Sequence, residues 1–329
     1  MQIIDLQPQH LQAAASMAAA DHARERAHVT ALPSRTAHFY LPRLQQLLSL
    51  YPGAAAIDAE GKLSGFIIGR KVPSFRSSQW GVHVPEWANA ANADDRFTLI
   101  RQLYQHIAVK WVVNGCFSHA ITLYAHDEMA QHTWYRTAFG MICGDGVREL
   151  ELVAGPAATD IEIRQASVED IDLFLPLVHE HQRYYPTSPL FMPLLSLDDR
   201  EHFADWLSKP DHNFWLAIDQ GEPVGYFEST PSHPGASDII VDPGTCSICG
   251  AFVRPGTRKQ GIGTALLARV VQWAQENGYK RCAVDYETHN LYGSRFWEKH
   301  FHPVAVSVMR HVDERVAWGN TSRPEEAIW

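Results

Sequence analysis

Residues 250–267 read Gly-Ala-Phe-Val-Arg-Pro-Gly-Thr-Arg-Lys-Gln-Gly-Ile-Gly-Thr-Ala-Leu-Leu: an apolar strand, a basic glycine-containing loop and the start of a helix. The first N–H groups of a helix have no intrahelical acceptor, and the macrodipole adds a modest attraction for anions there. Residues 258–263 can present consecutive N–H groups to a phosphate, with Arg258 and Lys259 supplying charge at the rim. The missing Cβ atoms of Gly261 and Gly263 would let a pyrophosphate approach the backbone. Beyond the loop, Leu266, Leu267, Val270, Val271 and Ala274 form the apolar stripe of a helix. No Gly-Lys-Ser/Thr ending makes this a Walker A loop, and the Gly-x-Gly-x-x-Gly spacing of dinucleotide sites is absent.

Other chemistry is weakly signalled. His179 and His181 lie two apart, off a common helix face, and no His-Glu-x-x-His spacing occurs, so no metal is expected. Cys246 and Cys249 form one C-x-x-C, but inside an apparent strand and without further zinc ligands, and they read as buried free thiols. With 28 Lys+Arg against 37 Asp+Glu, a net charge of −9 argues against nucleic acid as a partner. No basic and apolar leader opens the sequence, and no run of about 18 apolar residues suggests a membrane span. The expected location is the cytoplasm.

The elements that must hold the loop occur twice, at an offset of about 160 residues, which suits a duplicated domain. A short strand and cap-like run at 3–11 return at 163–171, and the hairpin pattern of 56–69 returns at 217–227. A helix near 97–113, a strand at 118–124 and a helix around 130–139 correspond to 260–277, 281–286 and 291–299. The small-residue run 154–159 marks a boundary. Expected domains are therefore 1–155 and 160–315, with a tail over 316–329. The charged, amphipathic run 310–318 is read as closing a domain edge or a homodimer contact.

Arg258-x-x-Gly261-x-Gly263, following a strand that ends at 251–255, resembles the acyl-CoA-binding signature of the GCN5-related N-acetyltransferase (GNAT) family. Downstream, Asn290, Gly293 at a small-residue position, the pair Phe296-Trp297 and Phe301 extend the resemblance, although His300 stands where the family usually has glycine before the final Phe. The first half resembles the family only in outline. Its counterpart of the phosphate strand and loop, 80–90, lacks the signature and carries Glu86, while Asp127, Ala130 and Trp134 echo Asn290, Gly293 and Trp297. The resemblance implies an α/β fold of two tandem acyl-CoA N-acyltransferase domains, each a mixed, largely antiparallel sheet flanked by helices. The first domain is then degenerate, serving support or substrate shaping.

By that resemblance the co-substrate is acetyl-CoA and the reaction is direct attack by an amine of a small molecule or peptide on the thioester. Phe252, Val253, Arg258, Lys259, Gln260, Gly261, Gly263, Thr264, Asn290 and Trp297 would line the CoA site, and an N–H around 251–253 would polarise the carbonyl. Relatives often place a glutamate base in this strand, where Cys249 stands here. Replacement bases are Asp285, Glu287 and His289, with Glu180 or His181 as more distant options. Trp297 occupies the position of a tyrosine acid, leaving Tyr292, one turn earlier, as a donor. Glu180 and Tyr184 suit the acceptor pocket. The alternative reading is a non-catalytic acetyl-CoA-binding regulatory protein.

Overall fold

The computed structural model describes residues 1–153, 160–232 and 238–318, so the expected boundary at 154–159 lies outside the described residues, as does most of the expected tail. In chain order the first elements are β1 (Gln2–Asp5), α1 (Leu11–His28), α2 (Ala37–Leu50), β2 (Gly53–Ile57), β3 (Leu63–Ile68), β4 (Arg70–Val72), β5 (Trp80–Val84), β6 (Asn89–Ala91), α3 (Arg96–Val113), β7 (Cys116–Tyr124), α4 (Glu128–Tyr135) and β8 (Gly140–Glu149). There follow β9 (Glu162–Gln165), α5 (Ile171–Tyr184), α6 (Arg200–Leu207), β10 (Asn213–Asp219), β11 (Glu222–Pro231), β12 (Thr245–Val253), α7 (Ile262–Glu276), β13 (Arg281–Glu287), α8 (Leu291–His300) and β14 (His302–His311). The plan expected twice from the sequence is present twice, with helix and strand bounds shifted by a few residues.

Two compact units form. One holds Met1–Cys143 and the chain from Val304, the other Gly144–Pro303. They differ from the 1–155 and 160–315 division expected from the repeat, because most of β14 belongs to the first unit and the later part of β8 to the second.

In the first unit, β1, β2, β3 and β6 form an antiparallel sheet, and β4, β5, β7 and β14 lie side by side in a second, with β5 parallel to β7. The run 80–90, read as the counterpart of the phosphate strand and loop, is a strand, a turn and a second strand. Proline lacks the N–H a ladder needs, and the chain leaves β5 at Pro85, makes a 3-10 turn at Glu86–Ala88 and re-enters the other sheet as β6.

In the second unit, β9, β10, β11 and β12 are antiparallel neighbours, β13 joins β12 in parallel, and β8 flanks β13. Side-chain alternation along β11 sorts the two layers of core. Phe227 packs with Ile248, Leu266, Val270 and Trp297 in the layer of α7 and α8. Tyr226 packs with Phe174, Phe203, Phe214 and Phe252 in the layer of α5. Among the described residues no helix is long and apolar enough to cross a membrane, and no group of three His, Cys, Asp or Glu is arranged to hold a metal ion.

The α5 layer turns on one ring. Phe174 is fully buried, stacks on Phe214 at 4.1 Å between centroids and meets Phe203 edge-on at 5.2 Å. Phe174→Ala should cost about 3–5 kcal/mol in urea unfolding, through lost transfer free energy and the cavity left behind.

Candidate active site

β12 and β13 pair only from Thr245 opposite Arg281 to Ile248 opposite Val284, although they run on to Val253 and Glu287. The cause is visible on the other edge of β12. Ser229 of β11 faces Ile248 and Glu228 faces Gly250, so Cys249 is an extra residue, a β-bulge that bends β12 away from β13. Beyond Ile248, the edge of β12 towards β13 has no ladder partner among the described residues. Cys249 is exposed on this bulge rather than buried as expected, whereas Cys246 is buried.

The far end of the gap is reached through Arg254, Pro255–Thr257 and the start of α7. Gly261 is the N-cap residue at φ 83°, a left-handed conformation that glycine adopts without a Cβ clash. No side chain caps the first-turn N–H groups, so they are open to an external acceptor. Gly263 has a second reason to be glycine, since a Cβ there would lie 3.2 Å from the Phe296 ring. Lys259 and Gln260 are exposed beside this terminus, while Thr264 is buried in the helix.

Several expected residues have other employment. Arg258 does not sit at a free rim: its Nε donates to the Val253 carbonyl at 2.8 Å, and its guanidinium carbon lies 4.9 Å from the Tyr292 ring centre and 5.6 Å from that of Tyr184. Asn290 caps α8, its Oδ1 accepting from the Gly293 N–H at 3.2 Å. Trp297, placed on the CoA wall from its register, is a core residue packed against Phe227 and Phe301. Its ring serves the layer beneath the sheet and has little surface to offer a ligand.

Asp285, Glu287 and His289 gather at the end of β13 and the turn after it. Asp285 is exposed, and His289 Nδ1 lies 3.9 Å from Glu287 Oε2. Tyr292 is largely exposed beneath Arg258. His181 donates or accepts through Nδ1 at 2.7 Å from the Tyr226 hydroxyl and stacks on Phe252. Burial, then the charge of Arg258, lowers its pKa to about 4, which makes this imidazole a poor proton acceptor near neutrality.

One residue not singled out from the sequence is better placed for proton transfer. Glu228 lies opposite Gly250, and a Cβ on that glycine would be 2.7 Å from the Glu228 carboxyl, so the carboxyl lies across the bulge where the gap opens. Burial, then the charge of Asp198, raises its pKa to about 7. Tyr185 follows α5. Burial, then the carboxylates of Glu287, Asp285 and Glu228, raises its phenol to about 12 and keeps it protonated. The signal for Glu228 was a single carboxylate in the strand-like run 224–230, directly after the apolar Val224–Phe227.

An open cavity of about 430 Å³ lies beside α5, lined by Pro176, Glu180, Arg183, Tyr184, Phe252 and Pro255. It brings together the two expected acceptor residues. Glu180 is also paired there, with its Oε2 3.0 Å from Arg254 Nε.

The first unit repeats this geometry in closed form. Asp95 caps α3 by accepting from the Thr98 N–H at 2.9 Å, so a carboxylate already occupies the helix terminus matching that of α7. Arg96 forks onto Asp127 at 3.2 and 2.5 Å, while Asp127 caps α4 through the Ala130 N–H at 3.1 Å. Glu86, Tyr124 and Trp134 border a cavity of only about 30 Å³, room for about one or two waters.

Residues 175–302, within the second unit, match the model of the acetyltransferase (GNAT) family. A GCN5-related N-acetyltransferase from Sphaerobacter thermophilus is 15% identical, with a TM-score of 0.57 over 94% of this chain and 95% of that one. A fungal multi-domain GH3 β-N-acetylglucosaminidase containing a GCN5-related glucosamine N-acetyltransferase region is 12% identical, with a TM-score of 0.54 over 94% of this chain. This chain spans 38% of that enzyme's length. At these identities the likeness is one of fold. No curated protein matches the sequence.

The raised pKa of Glu228 links the site to stability. Below the ordinary value of 4.5 the carboxyl is protonated whether folded or unfolded; as pH rises through about 7, ionising it in the folded site costs stability. Glu228→Gln should thus be more stable than wild type at pH 8, with the difference in urea midpoint vanishing towards pH 4.

Proposed function

We propose that the second unit is an N-acetyltransferase that moves the acetyl group of acetyl-CoA to a primary amine in a ternary complex. The observation that carries this reading is the gap between β12 and β13, with an uncapped helix terminus at one end and the Glu228 carboxyl across the bulge at the other. The gap is suited to an extended pantetheine arm, whose amides would satisfy the β12 edge left without a ladder partner. The pyrophosphate would sit on the first-turn N–H groups of α7, with Lys259 and Gln260 alongside.

Glu228 would take the proton from the attacking ammonium or amine. A carboxylate near pKa 7 is matched to the working pH and is a stronger base than an exposed glutamate. A backbone N–H of 251–253 would stabilise charge developing on the thioester oxygen. The Tyr185 hydroxyl, kept protonated by burial and nearby carboxylates, would offer the departing thiolate a hydrogen bond rather than a proton, and Tyr292 would remain the exposed alternative. Asp285, Glu287 and His289 would tune the field around that hydroxyl rather than act as the base. In the first unit, the Asp95 carboxylate at the helix terminus would oppose a CoA pyrophosphate, which suits a degenerate domain that supports the second.

Isothermal titration should show saturable acetyl-CoA binding to wild type and none to Gly261→Glu/Gly263→Glu with unchanged circular dichroism. Equal binding by the variant contradicts the site. Acceptor-dependent CoA release should rise with pH to a plateau, with an apparent pKa near 7 in kcat/KM. Glu228→Gln should remove that limb and slow turnover by about 10²–10⁴. Tight binding without release across a broad amine panel would favour the regulatory alternative.

A further inference from the structure

The cavity beside α5 has a charge balance that bears on its ligand. Of the groups around it, Glu180 is the one carboxylate lining it, and Arg254 neutralises it at 3.0 Å. Arg183, on the same lining, is exposed and makes no ion pair among the described residues. The Arg258 guanidinium adds a third positive group, 5.6 Å from the Tyr184 ring centre and 5.8 Å from that of Phe252, both cavity walls. A chain with net charge −9 therefore presents a locally cationic mouth with aromatic and proline walls.

This arrangement disfavours a polycation. Its charges would meet unpaired guanidinium groups, and the aromatic faces that could receive an ammonium already lie against Arg258. A carboxylate, by contrast, matches the planar fork of an arginine, and an apolar body would cover Tyr184, Phe252 and Pro255. A volume of about 430 Å³ falls within the range of about 300–1,000 Å³ usual for small-molecule sites.

We propose that this cavity selects an acceptor carrying a carboxylate and an apolar body besides its amine, an amino acid with an aromatic or aliphatic side chain, and that Arg183 holds the carboxylate. The assignment rests on reading the second unit as an N-acyltransferase. The group transfer would be balanced: the amine nitrogen forms a bond to the acetyl carbon, the carbon–sulfur bond of acetyl-CoA breaks, the amine proton passes to Glu228 and the thiolate leaves as CoA.

The test uses the full chain with acetyl-CoA and matched acceptor pairs, phenylalanine against phenethylamine and leucine against 3-methylbutylamine, with spermidine as the polycation. The amino acid of each pair should have a kcat/KM at least about tenfold above its decarboxylated partner and above spermidine. Arg183→Glu should bring the ratio within each pair close to one while the KM for acetyl-CoA stays the same. In parallel, CoA-saturated protein is titrated with phenylalanine by calorimetry. Saturable binding that Arg183→Glu abolishes, without CoA release from any amine, would sustain the ligand class and remove the transfer reading. The proposal is overturned by preference for the decarboxylated amine or spermidine, by a ratio unchanged in Arg183→Glu, by a raised KM for acetyl-CoA in that variant, or by absence of both phenylalanine binding and turnover.

Discussion

Parallel pairing between β12 and β13 ends after Ile248 and Val284, and the second unit is organised around that interruption. A strand in the middle of a sheet normally satisfies its backbone on both edges. Here one extra residue, Cys249, is inserted opposite β11, so the strand keeps one neighbour and loses the other. The freed edge of β12 and the place of the Glu228 carboxyl across it both follow from this single local irregularity, while the open terminus of α7 follows from its own glycine cap. Phe227 and Tyr226, pointing to opposite faces, fix β11 between two separate apolar layers and so fix where its next residue, Glu228, must point.

The first unit shows how the same plan is closed. Its parallel pair, β5 with β7, holds along the whole of β5 and ends at Val84 opposite Ile121. There Pro85 and the 3-10 turn divert the chain into another sheet, and internal charges fill the positions that stay open in the second unit. Asp95 stands at the helix terminus where the second unit has Gly261. Burial, the leading cause, raises the carboxyl of Asp21 beside this small cavity to about 6. One difference of cap, carboxylate against glycine, separates a terminus satisfied within the fold from one left open to an external acceptor.

Much of this was legible in the sequence because it is local. The loop at 258–263, the two hairpins and the match of Asp127 to Asn290 depend on residues close in the chain, and both of those residues prove to be helix caps. What was missed is non-local. The position of Glu228 over Gly250 depends on the register across a hairpin arm and on a bulge, neither of which leaves a composition signal. The allotment of β8 and β14 to the two units could not follow from an internal repeat, since the repeat places each strand with its own half. Trp297 illustrates the same limit: its spacing from Asn290 gives its turn of the helix, while Phe227 and Phe301 decide that it faces the core.

Seating of acyl-CoA in the gap beside β12 can be read from hydrogen–deuterium exchange with and without saturating acetyl-CoA. Exchange should slow at the amides of 250–253 and 262–264 and stay unchanged at 96–98, where the terminus of α3 is already capped. Unchanged exchange at 250–253 and 262–264, or protection confined to the first unit, would contradict it.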